Sequence, residues 1–252
     1  MPFPTADTSA LIRNRLLVHP RTAQRVLQLL GEADGSYSEL CSLVEVDPAL
    51  TAAVLRAANS THLGYARRIA GIRHATVMLG GSLVASLAAS SVADLVFDSS
   101  RPDYPDWLWQ HTLVVASGCA VLAAHVGEST DDAYTTGMLH DVGALLAATN
   151  GADPAGDHVD EGADLLRRWN LPDRVVDAVR HHQARPAALV GNLERLVAAA
   201  TSLAAEMGAP GPERPIPVLE ALRLVQTNRR PADVMSAIED DVTRRTVVAR
   251  SS

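Results

Sequence analysis

The sequence predicts an all-α fold in two lobes. Three observations carry that reading. Helix-capping signals recur along the chain, no convincing strand of period-two alternation interrupts them, and two stretches rich in Pro, Gly and Asp punctuate the series. The first stretch, "DSSRPDYPD" (98–106), sets the boundary between an N-terminal lobe (1–98) and a C-terminal lobe (99–252) of one unit. The second, "GAPGPERPIP" (208–217), sets off two terminal helices.

Each element follows from its own punctuation. Ser36 and Glu39 stand at capping-box spacing and open a helix to about Val44. Asp47 as N-cap and Pro48 at the first helical position start the next, which runs to about Ser60. "GIRHATVMLG" forms a shorter helix closed by Gly80–Gly81, followed by one over 82–97. Beyond the boundary, helices are expected near 107–126, 130–148, 158–169, 172–183 and 187–207, then 218–227 and 231–248.

Composition narrows the classes of function. Hydrophobic residues make up 47% and charged residues 20%, which suits a folded globular chain. Aromatics are only 4%, so the core must be built from Leu, Val and Ala. Net charge is −7, and every one of the 22 cations is arginine. Pairs such as Arg67–Arg68 and Arg229–Arg230 are scattered, without a basic run, so they read as solvated faces rather than nucleic-acid contacts. Cys41 and Cys119 lack CxxC spacing and read as reduced core residues of a cytoplasmic protein. The N-terminus shows no basic-then-apolar leader, and "LVVASGCAVLAAHV" (113–126) is too short to span a bilayer. No membrane association is expected.

One dipeptide stands out. In "TGMLHDVGALL" (136–146), His140–Asp141 interrupts an apolar run, where a charged carboxylate must be paired or metal-bound. Two readings stay open: a hydrogen-bonded pair with Asp141 binding amides near Gly143, or metal ligation. Adjacent helical residues lie about 100° apart, so both can flank one ion only near a helix end or between helices. His111 on the preceding helix is the next candidate donor, and His158, His181 and His182 are further ones. At most one of His181 and His182 can point inward.

The order of these residues resembles the HD superfamily of metal-dependent phosphohydrolases. The segment "VEVDPALTAAVLRAANSTHLGYARRIAGIRHATVMLGG" (44–81) and "GADLLRRWNLPDRVVDAVRHHQ" (162–183) resemble its HDOD branch. That resemblance implies an all-α, two-lobed fold and a non-catalytic role in bacterial signalling. It also marks two departures from active HD enzymes: Thr201 stands where a late Asp is needed, and Ala144 stands where one subgroup carries Lys. With His111, His140 and Asp141 as the main donors, no cofactor is required and at most weak divalent-metal binding is expected. The implied role is regulation through a protein partner or small signal supplied in trans, with oligomeric state left open. The alternatives are an HD-type phosphohydrolase or phosphodiesterase with a degenerate site, and a nucleotide or metal sensor without turnover.

Overall fold

The computed structural model describes residues 16–32, 35–60, 68–97, 102–212 and 215–250, and those residues contain helices and no strands. The N-terminal helices are α1 Pro20–Gly31, α2 Tyr37–Glu45, α3 Pro48–Ala58, α4 Ile72–Leu79 and α5 Gly81–Phe97. The C-terminal helices are α6 Asp106–Leu122, α7 Thr130–Leu139, α8 Val142–Thr149, α9 Val159–Arg168, α10 Asp173–His181 and α11 Asn192–Glu206. Two terminal helices, α12 Val218–Leu224 and α13 Pro231–Arg250, complete the series. The reading of residues 1–15 as leaderless and the first part of the proposed boundary (98–101) lie outside the described residues.

α6 is the central strut, packed against α7, α11 and α13. Leu108, Val115 and Leu122 on it are buried against Leu139, Leu145, Leu165 and Leu196 in one continuous core. Together with the 3₁₀ turn Ala123–Val126 it is long and apolar enough to cross a membrane, yet 72% of its apolar window is buried by neighbouring helices. Here the apolar run serves the core. Trp109 on the same helix reaches across to the N-terminal half, its indole N–H donating to Val46 O at 3.0 Å. Trp169 packs beneath the Arg56 guanidinium, 5.6 Å from the ring centre.

The structure departs from the sequence expectation in four places. α1 was not anticipated, although Pro20 at its start and the spacing of buried Thr22, Val26 and Leu29 are helical signals. The capping box at Ser36 is half made. Ser36 accepts from the Glu39 amide, but the Glu39 carboxylate is engaged by Arg25 of α1. The helix expected over 130–148 breaks at His140–Asp141 into α7 and α8. The one expected from 187 begins only at Asn192, because Glu194 turns back to accept the Val190 and Gly191 amides.

The entry to α3 joins the halves through buried polar groups. Asp47 accepts from the Ala49 and Leu50 amides at 3.0 and 3.1 Å, and from the His19 amide at 2.9 Å. The His19 ring stacks on Trp109 at 4.7 Å. Burial pushes the Asp47 carboxyl up to about 6, against the pull of those amides. Burial, reinforced by Arg21, pushes His19 down to about 4.

The two groups act oppositely on stability. Asp47 holds its proton more tightly folded than unfolded, so its contribution is full below pH 3.8 and fades as pH rises toward 6. His19 releases its proton more readily when folded, so its contribution is full above pH 6.5 and fades as pH falls toward 4. Thermal unfolding across this window should show Asp47→Asn gaining stability relative to wild type as pH rises from 4 to 6. His19→Gln should gain relative to wild type as pH falls from 6.5 to 4. Parallel curves for either variant and wild type would contradict the assignment.

Candidate metal centre

His140 is the residue that ends α7, and Asp141 the one that opens α8. The break frees the pair from the 100° separation of a continuous helix, so both side chains face the same space. Asp141 makes no capping bond to the amides of α8, so its hydrogen-bonding partners are histidines rather than the amides near Gly143. Its carboxylate faces four imidazoles instead. His158 Nε2 and His182 Nε2 stand 3.1 and 3.3 Å from Oδ1. His140 Nε2 and His111 Nε2 stand 3.3 and 3.6 Å from Oδ2. All five residues are at most 3% exposed.

Each imidazole is held by its other nitrogen. The Nδ1 atoms of His111, His140, His158 and His182 face the carbonyls of Ala209, Gly137, Gly156 and Val179, at 2.6–2.8 Å. A carbonyl only accepts, so each Nδ1 must carry hydrogen, and each neutral ring then presents the Nε2 lone pair inward. His111 Nε2 and His140 Nε2 consequently face each other at 3.1 Å. The Gln183 amide nitrogen, 3.4 Å from His158 Nε2, agrees with a lone pair there.

Lone pairs and a carboxylate packed this closely repel unless a cation lies among them. Asp141 Oδ2, buried with no hydrogen-bond partner, marks the same demand. Donors sharing one divalent ion at about 2.0–2.1 Å stand roughly 3.0–3.4 Å apart, and of the separations given above only the 3.6 Å between His111 and Asp141 is longer. The donors fall into two triads that share Asp141: His111, His140 and Asp141, and Asp141, His158 and His182. The residues present fit a divalent metal.

Without metal, protons must supply the positive charge. Burial raises the Asp141 carboxyl, but the surrounding histidines, His140 foremost, outweigh it and hold it well below the usual range. Burial lowers His158, and its bond to Asp141 more than compensates, so its value is raised.

The sequence candidates sort cleanly. His111, His140, Asp141, His158 and His182 converge, so the set is larger than the three donors weighed from sequence. His158, at the start of α9, bonds the local Gly156 carbonyl through Nδ1 alone. His181 points away, 43% exposed, and pairs with Glu194 at 3.0 Å. Thr201 donates to Ala198 O and borders a small cleft with His182 and Gln183. Ala144 lies within the apolar core.

Comparison with known proteins agrees with this architecture. The HDOD domain family matches residues 16–155, and the HD domain matches residues 108–222. The chain belongs to the HDOD domain family. An uncharacterized protein of Treponema pallidum (strain Nichols) is 26% identical over 72% of this chain and 41% of its own length. Ribonuclease Y of Sulfurovum sp. (strain NBC37-1) is 38% identical over 32% of this chain and 15% of its own length. The chain therefore spans less than half the length of these relatives. Among solved structures, the MmoQ response regulator of Methylococcus capsulatus str. Bath superposes with a TM-score of 0.71 at 25% identity. The alignment covers 86% of this chain and 96% of that one. A Campylobacter jejuni virulence factor has a TM-score of 0.62 at 16% identity, covering 97% and 99%, and shares the fold.

Two close backbone approaches set the centre's geometry. A Cβ on Gly143 would lie 2.0 Å from His158 O, so only glycine lets α8 meet the start of α9. A Cβ on Gly137, whose carbonyl orients His140, would lie 2.7 Å from Ala116 Cα on α6. Gly143→Ala should therefore push His158 away from Asp141 and cost about 1–3 kcal/mol by overpacking. Chemical denaturation and metal titration would check this, and unchanged stability with unchanged metal affinity would refute it.

Proposed function

We propose that this chain is a signalling-type HDOD module whose HD centre holds divalent metal and which acts by binding a protein partner or small signal, without turnover. One observation carries the metal: four imidazoles in the Nδ1–H form aim their Nε2 atoms at a single buried carboxylate. His111, His140, Asp141, His158 and His182 would hold it. A bound divalent ion supplies positive charge that cancels the donors' mutual repulsion, and at an open position it can acidify a water molecule. The chain's own residues do the rest: the carbonyls fix the ring tautomers, and Asp141 ties α7 and α8 to α6, α9 and α10 through its four histidines.

Two features support binding without hydrolysis. The donors are closed off from solvent, and Thr201, where the resemblance to active HD enzymes calls for a late carboxylate, is a neutral hydroxyl bonded to its own helix. Likeness to a response regulator supports the signalling role, and the scattered arginines of an acidic chain favour a protein or small-molecule partner over nucleic acid. A second reading, hydrolysis of a phosphodiester, is favoured by the five-donor set and by the likeness of part of the chain to ribonuclease Y.

Elemental analysis of protein purified without chelator or imidazole should find a divalent transition metal. A ligand present at a hundredfold its dissociation constant stabilises by about 2.7 kcal/mol, and on a chain of this size that is roughly 5–10 °C in Tm. Chelator should lower Tm by that order in wild type and leave Asp141→Asn unchanged. Metal-free protein with no response to added Mn²⁺ or Zn²⁺ would defeat the reading.

The same preparation decides between the two functions. Loaded with Mn²⁺ or Fe²⁺, it should not hydrolyse cyclic dinucleotides or RNA above background. Turnover that disappears in His140→Ala would establish the hydrolase instead.

A further inference from the structure

Outside the metal centre, a cleft of about 400 Å³ lies where α2, α4, α6, α7 and α13 meet. Its charged lining is a chain of alternating sign. Arg73 Nε and Nη2 bind the two oxygens of Glu45, each at 3.1 Å. Arg245 Nη1 binds the same Glu45 at 3.1 Å, and its Nε binds Asp241 at 2.6 Å. Arg244 Nη2 closes the row on Asp241 at 2.8 Å.

The row runs Arg–Glu–Arg–Asp–Arg, so both ends are cationic, and the one positive charge in excess within the row is offset by Asp131, which acts on Arg73 from outside it. The middle arginine is fixed: Arg245 is only 11% exposed and lies 3.7 Å over the Tyr134 ring. The end arginines, 61% and 74% exposed, keep guanidinium N–H groups beyond those used on the carboxylates. Asp131 is the nearby acid, and its oxygens are taken by the Arg73 and His74 amides. The carboxylates thus position the guanidiniums rather than filling the cleft.

We propose that this cleft binds a phosphate-bearing small molecule between Arg73 and Arg244, with Arg245 at its base. Guanidinium forks match phosphate oxygens in pairs, and the volume is that of a small-ligand site. The Ser42 and Thr130 side chains in the lining add hydroxyls. Because α13 contributes Asp241, Arg244 and Arg245 while α2 and α4 contribute Glu45 and Arg73, an occupant would tie the C-terminal helix to the N-terminal half. This site is independent of the metal centre.

Isothermal titration of metal-free protein with pyrophosphate at fixed ionic strength tests it. Wild type should bind saturably with one site per chain, and Arg73→Gln and Arg244→Gln should each weaken binding at least tenfold. Arg230→Gln, which removes the same charge from an exposed arginine outside the cleft, should bind like wild type. Absence of saturable binding would overturn the proposal. So would binding that survives both arginine substitutions, or binding weakened equally by Arg230→Gln, which would make it a general charge effect.

Discussion

Asp141 is the hinge of the molecule's chemistry. A buried carboxylate surrounded by imidazole lone pairs is costly in a low-dielectric interior unless positive charge joins it. The protein pins each ring by a backbone carbonyl, so the rings cannot turn away to relieve the repulsion. Those carbonyls lie on α7, on the turn before α9, on α10 and in the segment after α11. One charge-balance requirement therefore couples most of the C-terminal helices.

The surrounding packing serves that arrangement. Helices rich in alanine approach closely, and Gly137 and Gly143 permit two close contacts, α7 on α6 and α8 on the start of α9. The five donors are themselves buried, and exclusion from water strengthens the electrostatic interactions among them. The N-terminal half is joined on through Asp47, His19 and Trp109, and the Arg245–Glu45 contact joins it again from the C-terminal helix. Rigidity of the centre and attachment of the two halves are thus separate pieces of physics in adjacent places.

Much of this was legible in the sequence. Capping residues such as Asp47 and Ser36 marked helix starts, and the order of histidines pointed to an HD-type centre. The interruption at His140–Asp141 was hidden because the flanking residues are apolar and helix-compatible on both sides. Without the break, His140 and Asp141 diverge, and the donor set looks smaller than it is. His158 was undervalued because a histidine at a helix start has a sufficient local explanation in its Nδ1 bond. Nothing local in the sequence reveals where its Nε2 points, since that depends on the glycine contact between α8 and α9. The Arg73–Glu45–Arg245–Asp241–Arg244 row was unreadable for a similar reason: its members come from three helices far apart in the chain.

The central claim concerns ring nitrogens, and histidine ¹⁵N NMR reads them directly. In protein labelled at histidine nitrogen, the account predicts that His111, His140, His158 and His182 carry hydrogen on Nδ1. Their Nε2 signals should move to metal-bound positions on addition of Zn²⁺, while that of the exposed His181 stays in place. Rings that carry hydrogen on Nε2 and none on Nδ1, or Nε2 signals indifferent to Zn²⁺, would contradict it.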